Sequence, residues 1–486
     1  MFGNKVGHLG RVGSLTLAQR VSAMFSRGEP GAWYDPSDLS TLFQDSAGTT
    51  PVTAVEQPVG RMLDKSRGAA LGAELATSAW LNTYSTHFDT FTSTSGSGFT
   101  AAVTSGKSTR ARVPLTLTTG KSYKVTFDLV STGVSSLSVW FDDGAYGGVV
   151  NTSISSPADG TKQAIVVASS GSVGLMIIPA FSGAGSITVS NVSVKELPGN
   201  HATQATTTKR PVLSRRVNEL LATTTLSTQS VTTRAASYRL VFSGAGSVTL
   251  SGTASGVYGA GTHSITCTAG GLTLTVSGTV QDASLTLAID AHLPYQLVNT
   301  TTDYDADPSK FPAYLRFDGV DDALQTGNID FTSTDKMTVW AGITKLTDVS
   351  TQTIAELSAN KNANNGVFAL FCPFSNLSRT YWYSKGTTES QAVALVTAGA
   401  ASLVITGIGD VAGDVSRLRL NGSTAIATTD QGPGNYGNYP LYIGSRAGTS
   451  LFLNCRLYSL IVRGAQSSLS QIEATELYIK QKMRMP

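Results

Sequence analysis

The sequence predicts an all-β protein built from tandem antiparallel β-sandwiches, with one short helix near each end of the chain. Charged residues make up only 14% of the 486 residues, and 49 glycines separate short apolar runs, which is typical of strands joined by tight turns. Apolar residues account for 41% of the chain, enough to fill packed cores. Within the runs apolar and polar residues alternate, so each strand buries one face and exposes the other.

Two segments have helical periodicity. Residues Ser14–Arg27 place apolar side chains on one face, with Ser14 as the predicted N-cap. The second segment, Ser470–Met483, begins with Ser470 and Glu473 at capping-box spacing. The apolar faces consist of Leu17, Val21, Met24 and Phe25 in the first helix and Ile472, Ile479 and Met483 in the second. The first face packs either on its own chain or on another molecule, and helical spacing does not choose between them.

The rest of the chain is predicted as strands and turns. In Tyr123–Leu129, four apolar side chains lie on one face and the polar residues between them lie on the other. The same alternation recurs in Leu137–Phe141, Leu272–Val276, Leu285–Ile289, Val339–Ile343 and Leu418–Leu420.

Charge, hydropathy and cysteine usage exclude several classes of function. A net charge of +3 forms no basic stripe, so nucleic-acid binding is not expected. No segment approaches the ~20 apolar residues of a membrane helix, and the N-terminus lacks the apolar stretch of a signal peptide, so we expect neither membrane insertion nor ordinary export. Cys267, Cys372 and Cys455 are widely spaced in apolar surroundings, which predicts buried free thiols and assembly in a reducing cytoplasm.

Two segments near the C-terminus resemble a known fold family. YLRFDGVDDALQT (314–326) resembles the opening strand and turn of a laminin-G/concanavalin-A-like jelly roll. PLYIGSRAGTSLFLNCRLYSLIVRGAQSSLSQIEA (440–474) resembles its closing strands. The resemblance implies one lectin-type β-sandwich over roughly the last third of the chain, in a family whose domains often carry a calcium ion.

Further segments resemble two other families. LTTGKSYKVTFDLVS (117–131) and SITVSNVSVKEL (186–197) are similar to a galactose-binding-like jelly roll of carbohydrate-binding modules. Residues 31–68, read together with GNHATQ (199–204), resemble the leading segment of phage tail and appendage proteins, in which the two pieces are continuous. The block between them is therefore predicted to be an inserted domain, because domain ends that lie close together at the surface tolerate insertion.

These observations predict a division of the chain into domains. Residues 1–30 would be an N-terminal anchor helix, 31–68 and 199–221 the leading segments of the body, and 69–198 an inserted carbohydrate-binding-like jelly roll. Residues 222–292 would be a small β insert, and 293–486 the laminin-G/concanavalin-A-like domain. The small insert is too short for a large core of its own, so we expect it to pack on a neighbour.

Carbohydrate sites need an aromatic ring for the apolar face of a sugar and polar groups for its hydroxyls. Three places offer this combination: Trp140 with Asp142, Asp143 and Tyr146; Trp382 between Tyr381 and Tyr383; and a loop with Asn435, Tyr436, Asn438 and Tyr439. Sheet packing is the competing interpretation for Trp140 and Trp382. The Gly- and Asn-rich loop cannot easily bury both of its rings, so we expect Tyr436 and Tyr439 to stack on sugars.

Two acidic clusters are candidates for Ca²⁺, which takes several oxygen ligands. Residues 303–307 carry alternating aspartates but lack the glycine and the distal glutamate of an EF-hand loop. In FDGVDD, Asp318, Asp321 and Asp322 are the candidate metal ligands, and a tight turn at Asp-Gly is the competing interpretation. No cofactor other than calcium is expected.

The resemblance to phage appendages implies a virion structural protein, a tail fibre or capsid appendage, assembled in the host cytoplasm. Its partners would be other virion proteins, a host cell-surface glycan and two further copies of itself in a homotrimer. Because such appendages usually attach by their N-terminus, the resemblance favours packing of the apolar face of residues 14–27 on another molecule. The alternative is a structural decoration or connector without sugar binding. A depolymerase is less favoured, because retaining glycosidases of concanavalin-like fold carry E-x-D-x-x-E, which does not occur here, and Glu356 and Glu389 are isolated. We therefore predict that the chain is not an enzyme.

Overall fold

The structure, a computed structural model, describes residues 15–68, 70–82, 87–144, 148–154 and 158–486. This part of the chain consists of many antiparallel strands and two α-helices, one near each end, which confirms the predicted all-β class. Ser14 and Tyr146, named above as an N-cap and a site residue, lie outside the described residues. In the described ranges, no helix has the length and apolar character needed to span a membrane.

The elements are numbered along the chain. The helices are α1 (Leu17–Ala23) and α2 (Leu469–Met483). The first strands are β1 (Gly31–Tyr34), β2 (Leu42–Phe43), β3 (Arg61–Met62), β4 (Thr90–Ser93), β5 (Phe99–Val103), β6 (Ala111–Pro114), β7 (Ser122–Asp142), β8 (Gly148–Ile154), β9 (Gly160–Val167) and β10 (Gly174–Leu197). Next come β11 (Ala202–Thr203), β12 (Val212–Ser214), β13 (Gln229–Thr233), β14 (Ala236–Ser243), β15 (Ser247–Gly252), β16 (Gly256–Tyr258), β17 (Gly261–Cys267), β18 (Gly270–Ser277) and β19 (Gln281–Leu287). The last are β20 (Tyr314–Asp318), β21 (Leu324–Asp330), β22 (Lys336–Lys345), β23 (Thr353–Leu357), β24 (Val367–Phe371), β25 (Arg379–Lys385), β26 (Glu389–Leu395), β27 (Ala401–Asp410), β28 (Val415–Leu420), β29 (Ser423–Ala427), β30 (Asn438–Ile443) and β31 (Asn454–Arg463).

Two antiparallel sheets form a sandwich that we call the body. The first sheet has the order β12-β20-β31-β22-β27-β28-β29, with β1 also paired to β31. The second has the order β2-β3-β11-β21-β30-β23-β24-β25-β26. Strands from residues 31–62 and 202–214 therefore complete sheets whose other strands come from residues 314–463. A core of apolar side chains, including Phe317, Phe368 and Trp382, lies between the sheets.

Residues 90–197 form a further antiparallel sheet system with its own core. The strand order is β4-β5-β10-β7-β8, with β6 paired to β10 and β9 paired to β7. The long strands β7 and β10 pair along most of their length, and shifts of register after Ala180 and Ser190 interrupt the ladder. Bulges of this kind bend strands, which lets one strand take part in two faces of a sandwich. Phe99, Phe127 and Phe141 are fully buried in this core.

The small β unit contains two short sheets, β13-β18-β15-β16 and β17-β14-β19. Their facing side chains, among them Leu240, Leu250 and Leu272, form one core. Leu346 from the body is also part of this core, so the unit packs on the body, as its small size predicts. The domain boundaries given above remain a prediction.

Asp64 and His201 join the two chain segments at the base of the block 69–198. The Asp64 carboxylate accepts a hydrogen bond from the backbone N–H of Asn200 (2.8 Å). His201 Nδ1 accepts one from the backbone N–H of Asp64 (3.0 Å), and its Nε2 lies 3.2 Å from the carbonyl oxygen of Leu197. These contacts require the neutral tautomer protonated at Nε2. Burial, reinforced by the charge of Arg61, lowers the pKa of His201 to about 4.

Both helices differ from the prediction at their first residues. The N-cap of α1 is Thr16, which forms a capping box with Gln19. α2 begins after Ser468, which forms a capping box with Gln471. The predicted pair, Ser470 and Glu473, lies two residues later. Both pairs have the required spacing, and the earlier one adds residues to the helix while Ile472 still faces the core.

The apolar face of α1 packs on its own chain. Val21, Met24 and Phe25 are buried in a cluster with side chains of α2, such as Ile479, and of the first sheet, such as Trp340. The interpretation in which this face contacts another molecule is therefore wrong, because its own chain already covers it. All three cysteines are buried free thiols, as predicted.

Candidate functional site

A cleft separates the small β unit from the outer face of the first sheet of the body. Its volume is about 720 Å³, within the ~300–1,000 Å³ of typical ligand pockets. Residues 229–235 of the small unit form one wall, and residues of β20 and β31 form the other. The cleft thus lies between two separately packed parts of the chain, a common position for ligand sites.

Strand alternation brings polar side chains of β20 and β31 to the same wall. Tyr314, Arg316 and Asp318 occupy alternate positions on β20 and therefore share a face. In the antiparallel pair, Arg316 lies opposite Arg456 and Asp318 lies opposite Asn454. Two arginines are thus direct cross-strand neighbours.

Arg456 forms the floor of the cleft. Its Nη1 lies 2.5 Å from Oδ2 of Asp290, and both side chains are buried. Its Nη2 lies 3.8 Å from Oε1 of Glu219, and its guanidinium group lies 5.0 Å from the ring centroid of Tyr314. Because Tyr314 is itself buried under this group, the cleft does not present that ring to a ligand.

Glu219 and Glu56 are each shared by two arginines. Glu219 contacts Arg456 as described and also Nη1 of Arg216 at 4.0 Å. Oε2 of Glu56 lies 3.4 Å from Nη2 of Arg216 and 3.9 Å from Nη1 of Arg316. Burial raises the pKa of Glu219, and the charge of Arg456 opposes part of that rise.

Arg234 enters the cleft from the small unit. Its Nη1 donates a hydrogen bond to Oδ1 of Asn454, which connects the two walls. Burial lowers the pKa of Arg234; Glu219 opposes this effect and Arg456 reinforces it. At the Asn454 contact the cation is met by a neutral amide oxygen and not by a carboxylate.

The wall from the small unit also offers hydroxyl and amide groups. Ser230 and Thr232 are exposed there. Ser230 Oγ lies 2.8 Å from Oγ1 of Thr273, and the Gln229 side chain bonds the backbone of Leu221. A hydroxyl can both donate and accept, so Ser230 and Thr232 keep capacity for a ligand.

The three candidate metal ligands come together at the rim of the cleft. The carboxylate oxygens of Asp318, Asp321 and Asp322 lie within 4.8 Å of one another. Asp318 Oδ1 also accepts from the N–H of Val320 (2.8 Å), and Asp322 Oδ2 from the N–H of Asp318 (3.0 Å), so the cluster is part of a turn as well. Burial and the neighbouring carboxylates raise the pKa of Asp322 to about 7. The charge of Arg316 offsets part of this rise, and carboxylate oxygens grouped in this way suit a hard cation such as Ca²⁺.

Trp140 lies partly exposed on the sheet of residues 90–197. The Arg110 guanidinium group lies 5.4 Å from its ring centroid. Asp142, which was grouped with it, is fully buried and pairs with Arg112 at 2.5 Å. The structure therefore does not bring Asp142 and Trp140 into one surface site.

Trp382 is buried in the core of the body and cannot contact a sugar. Its side chain is 0% exposed and stacks on Phe368, with 5.5 Å between ring centroids. Because side chains alternate, Tyr381 and Tyr383 lie on the opposite face of β25. Core packing, the competing interpretation for Trp382, is the correct one.

The loop at residues 435–439 does not form the expected pair of exposed rings. Tyr436 is 1% exposed, and its hydroxyl lies 2.6 Å from Oγ of Ser384. Hydrogen bonds from the loop backbone to the carbonyl groups of Thr334 and Gly366 hold the loop against the body and turn this ring inward. The expectation that Tyr436 stacks on a sugar is therefore wrong.

The remaining residues of this loop stay at the surface. Tyr439 is partly buried against the core, while Asn435 and Asn438 are exposed. The Asn435 side-chain amide donates to the carbonyl oxygen of Thr332 (2.7 Å). Their part in sugar binding remains a prediction.

Glu356 and Glu389, which are isolated in the sequence, both interact electrostatically with Tyr383. The Tyr383 hydroxyl donates to Glu389, and the Lys361 Nζ lies 3.6 Å from the Tyr383 ring centroid. Glu356 is fully buried, with both carboxylate oxygens 2.9–3.1 Å from Nε of Arg446. Burial raises the pKa of Glu356, and the hydrogen bond and charge of Arg446 oppose part of that rise.

Sequence reasoning missed the arginines of the cleft. Arg316 and Arg456 alternate with buried apolar residues, which is also the pattern of an ordinary solvent-facing strand surface. The only local signal was Asp318, named as a candidate metal ligand, which lines the cleft beside them.

Neither a protein-family model nor a curated protein matches this chain. Among solved structures, it is similar to the CBM40 domain of the Ruminococcus gnavus IT-sialidase bound to α2,3-sialyllactose, with 17% identity over 29% of this chain and 83% of that chain and a TM-score of 0.25. The Botulinum neurotoxin serotype D binding domain is 12% identical over 34% of this chain and 42% of its own, with a TM-score of 0.27. The NanB sialidase of Streptococcus pneumoniae is 14% identical over 33% and 27%, with a TM-score of 0.25. At these identities and TM-scores, the similarities carry no function over to this chain.

Proposed function

We propose that this chain binds saccharides without cleaving them, and that the cleft between the small β unit and the body is the binding site. One observation carries the proposal: Arg234 and Asn454 meet from opposite walls above the Arg316–Arg456 pair, in a cavity of about 720 Å³. Convergent polar groups of this kind orient a ligand and bond its hydroxyls. The site relies on hydrogen bonds and not on the aromatic platform that the sequence suggested.

Blocking the cleft tests this proposal. Thr232→Trp places a large ring at an exposed position on one wall, and we expect it to weaken glycan binding at least about tenfold, because a steric block removes contacts along the whole wall. The measurement is a glycan array followed by titration of the strongest ligand.

Thr249→Trp is the matched control. Thr249 is an exposed threonine on β15, which β18 separates from β13 in the same sheet, and it lies outside the cleft lining. Equal binding by both variants and the unchanged chain would place the site elsewhere, and no binding by the unchanged chain on a broad array would refute glycan binding.

A structural connector is the second candidate, favoured by exposed apolar residues on α2 and just before α1. Leu15, Leu469 and Leu477 are 53%, 58% and 49% exposed. Leu15 also lines a groove of about 230 Å³ between α1 and α2. Apolar side chains presented in this way suit contact with another protein.

The narrower proposal is a phage tail fibre or capsid appendage that contacts other virion proteins and a host cell-surface glycan. Its support is the sequence resemblance of residues 31–68 and 199–204 to phage appendages. A homotrimer stays part of the proposal, but attachment through the apolar face of α1 does not, since that face is buried. Antibody labelling of intact particles and native mass measurement test these points.

We also propose that Asp318, Asp321 and Asp322 hold Ca²⁺ at the rim of the cleft. Because the pKa of Asp322 is raised to about 7, this residue favours the folded state at low pH, and that contribution is lost as the pH rises from about 4 through 7. A bound cation would favour the ionised form. We therefore expect millimolar Ca²⁺ to raise the melting temperature more at pH 8 than at pH 5.5.

Asp322→Asn should remove both the calcium response and its pH dependence. Mg²⁺ at the same concentration controls for ionic strength. If Ca²⁺ does not change the melting temperature at pH 8, the cluster serves only to stabilise the turn.

A further inference from the structure

We infer that the saccharide bound in the cleft is acidic, and that its carboxylate or sulfate group is held between Arg234, Arg316 and Arg456. The inference rests on the proposed function and narrows it to a chemical class of ligand. It follows from how the positive charges of the cleft are placed and compensated.

Two arginines form a like-charge pair on the floor of the cleft. Arg316 and Arg456 lie directly opposite each other on β20 and β31, and like charges in that position destabilise a sheet. Asp290 compensates Arg456 at 2.5 Å, whereas the contact of Arg316 with Glu56 measures 3.9 Å. Glu56 also contacts Arg216 at 3.4 Å, and Asp322 interacts with Arg316 only electrostatically, so Arg316 lacks the short ion pair that Arg456 has.

Arg234 brings a third guanidinium group to the cleft. Arg234 reaches the same space from the opposite wall, where it bonds the amide oxygen of Asn454. The charge of Glu219 compensates part of the charge of Arg234, whereas Arg456 acts on Arg234 in the same direction as burial does, so the two cations repel each other across the cleft. An anion between the walls would compensate all three groups at once.

The size and the hydroxyl groups of the cleft favour an anion that is part of a sugar. Arg316 is exposed for 35% of its side chain, so a ligand can reach it. A guanidinium group binds a carboxylate or sulfate through two parallel hydrogen bonds. A small free anion would fill only a fraction of the about 720 Å³ and would leave the hydroxyls of Ser230 and Thr232 unused. A sugar that carries the anionic group would fill the cleft and also bond these hydroxyls.

Two trisaccharides of the same linkage test the inference. Titration of the purified chain with α-1,4-trigalacturonate and α-1,4-galactotriose in 50 mM NaCl should show the acidic sugar binding at least about tenfold more tightly. The preference should shrink as NaCl approaches about 1 M, because salt screens exposed charges. A sulfated trisaccharide in a parallel titration separates sulfate from carboxylate recognition.

Arg234→Gln should weaken trigalacturonate binding about tenfold to a hundredfold, the effect of losing a charged hydrogen bond, and change galactotriose binding about twofold or less. Arg234→Lys keeps the charge and should retain part of the preference. Arg239→Gln is the matched control, since Arg239 is a partly exposed arginine of the same small unit outside the cleft lining. Melting curves show whether each variant is folded.

The outcomes separate the inference from the proposed function. Equal binding of the two trisaccharides, or a preference that Arg234→Gln leaves intact, overturns the inference while saccharide binding stands. The inference is also overturned if neutral glycans bind on an array and no acidic glycan does. A chain that binds no saccharide at all refutes both.

Discussion

Replacing Trp382 by alanine is expected to lower the free energy of unfolding by about 3–5 kcal/mol, the cost of removing a large aromatic side chain from a packed core. The indole is 0% exposed and stacks on Phe368. The backbone of Gly407 also approaches so closely that an added Cβ would lie 2.1 Å from the ring. Such a site cannot collapse easily, so most of the cavity would remain.

Chemical denaturation measures this effect, and Trp140→Ala is the matched control. Trp140 is partly exposed, so the same substitution should cost less than half as much. Glycan affinity per folded molecule should be unchanged in Trp382→Ala, because the side chain does not reach the surface. An unfolding midpoint equal to that of the unchanged chain, together with lost glycan binding, would mean that Trp382 is a surface residue after all.

Acid is expected to destabilise the chain through His201. Its pKa is about 4 in the folded state against an ordinary value of 6.5, so the unfolded chain binds the proton more tightly. The stabilisation is fully present above pH 6.5 and is lost as the pH falls towards 4, by about 3 kcal/mol in total. Protonation would place a second donor on Nδ1, which faces the backbone N–H of Asp64.

His201→Asn isolates this contribution. The asparagine oxygen can accept from Asp64 but cannot be protonated, so its stability should fall less between pH 7.5 and pH 4 than that of the unchanged chain. The quantity compared is the difference in free energy of unfolding between the two proteins at each pH. This difference cancels the contribution of Asp322, whose pH dependence is opposite to that of His201 and is present in both proteins. Parallel stability curves for the two proteins would contradict the assignment of the pH effect to His201.

Alternation predicted the strands well because it is a local property of the chain. It could not choose between the two faces of β25, where Tyr381, Trp382 and Tyr383 make both faces aromatic. That choice depends on which face meets the other sheet, which is a property of the assembled sandwich. The same holds for Tyr436, which is drawn inward by backbone bonds to distant parts of the chain.

The candidate cleft could not be predicted for a related reason. Arg234 and Asn454 are 220 positions apart in the chain and meet only when the small unit packs on the body. In contrast, Asp318, Asp321 and Asp322 were predictable because a single turn places them together. Sites made by one turn are visible in a sequence, whereas sites made between packed units are not.

We expect the pairing of β3 with β11 to influence the order of events in folding. Arg61–Met62 pairs with Ala202–Thr203, so the second sheet of the body must close a loop of about 140 residues. Once residues 69–198 are folded, the bridge between Glu74 and Lys195 holds the two ends of that loop near each other. The body then closes a short connection instead of a long flexible one, and its long-range contacts form faster. Substitutions that destabilise the sheet of residues 90–197 should therefore slow the folding of the body before they change the body's final stability.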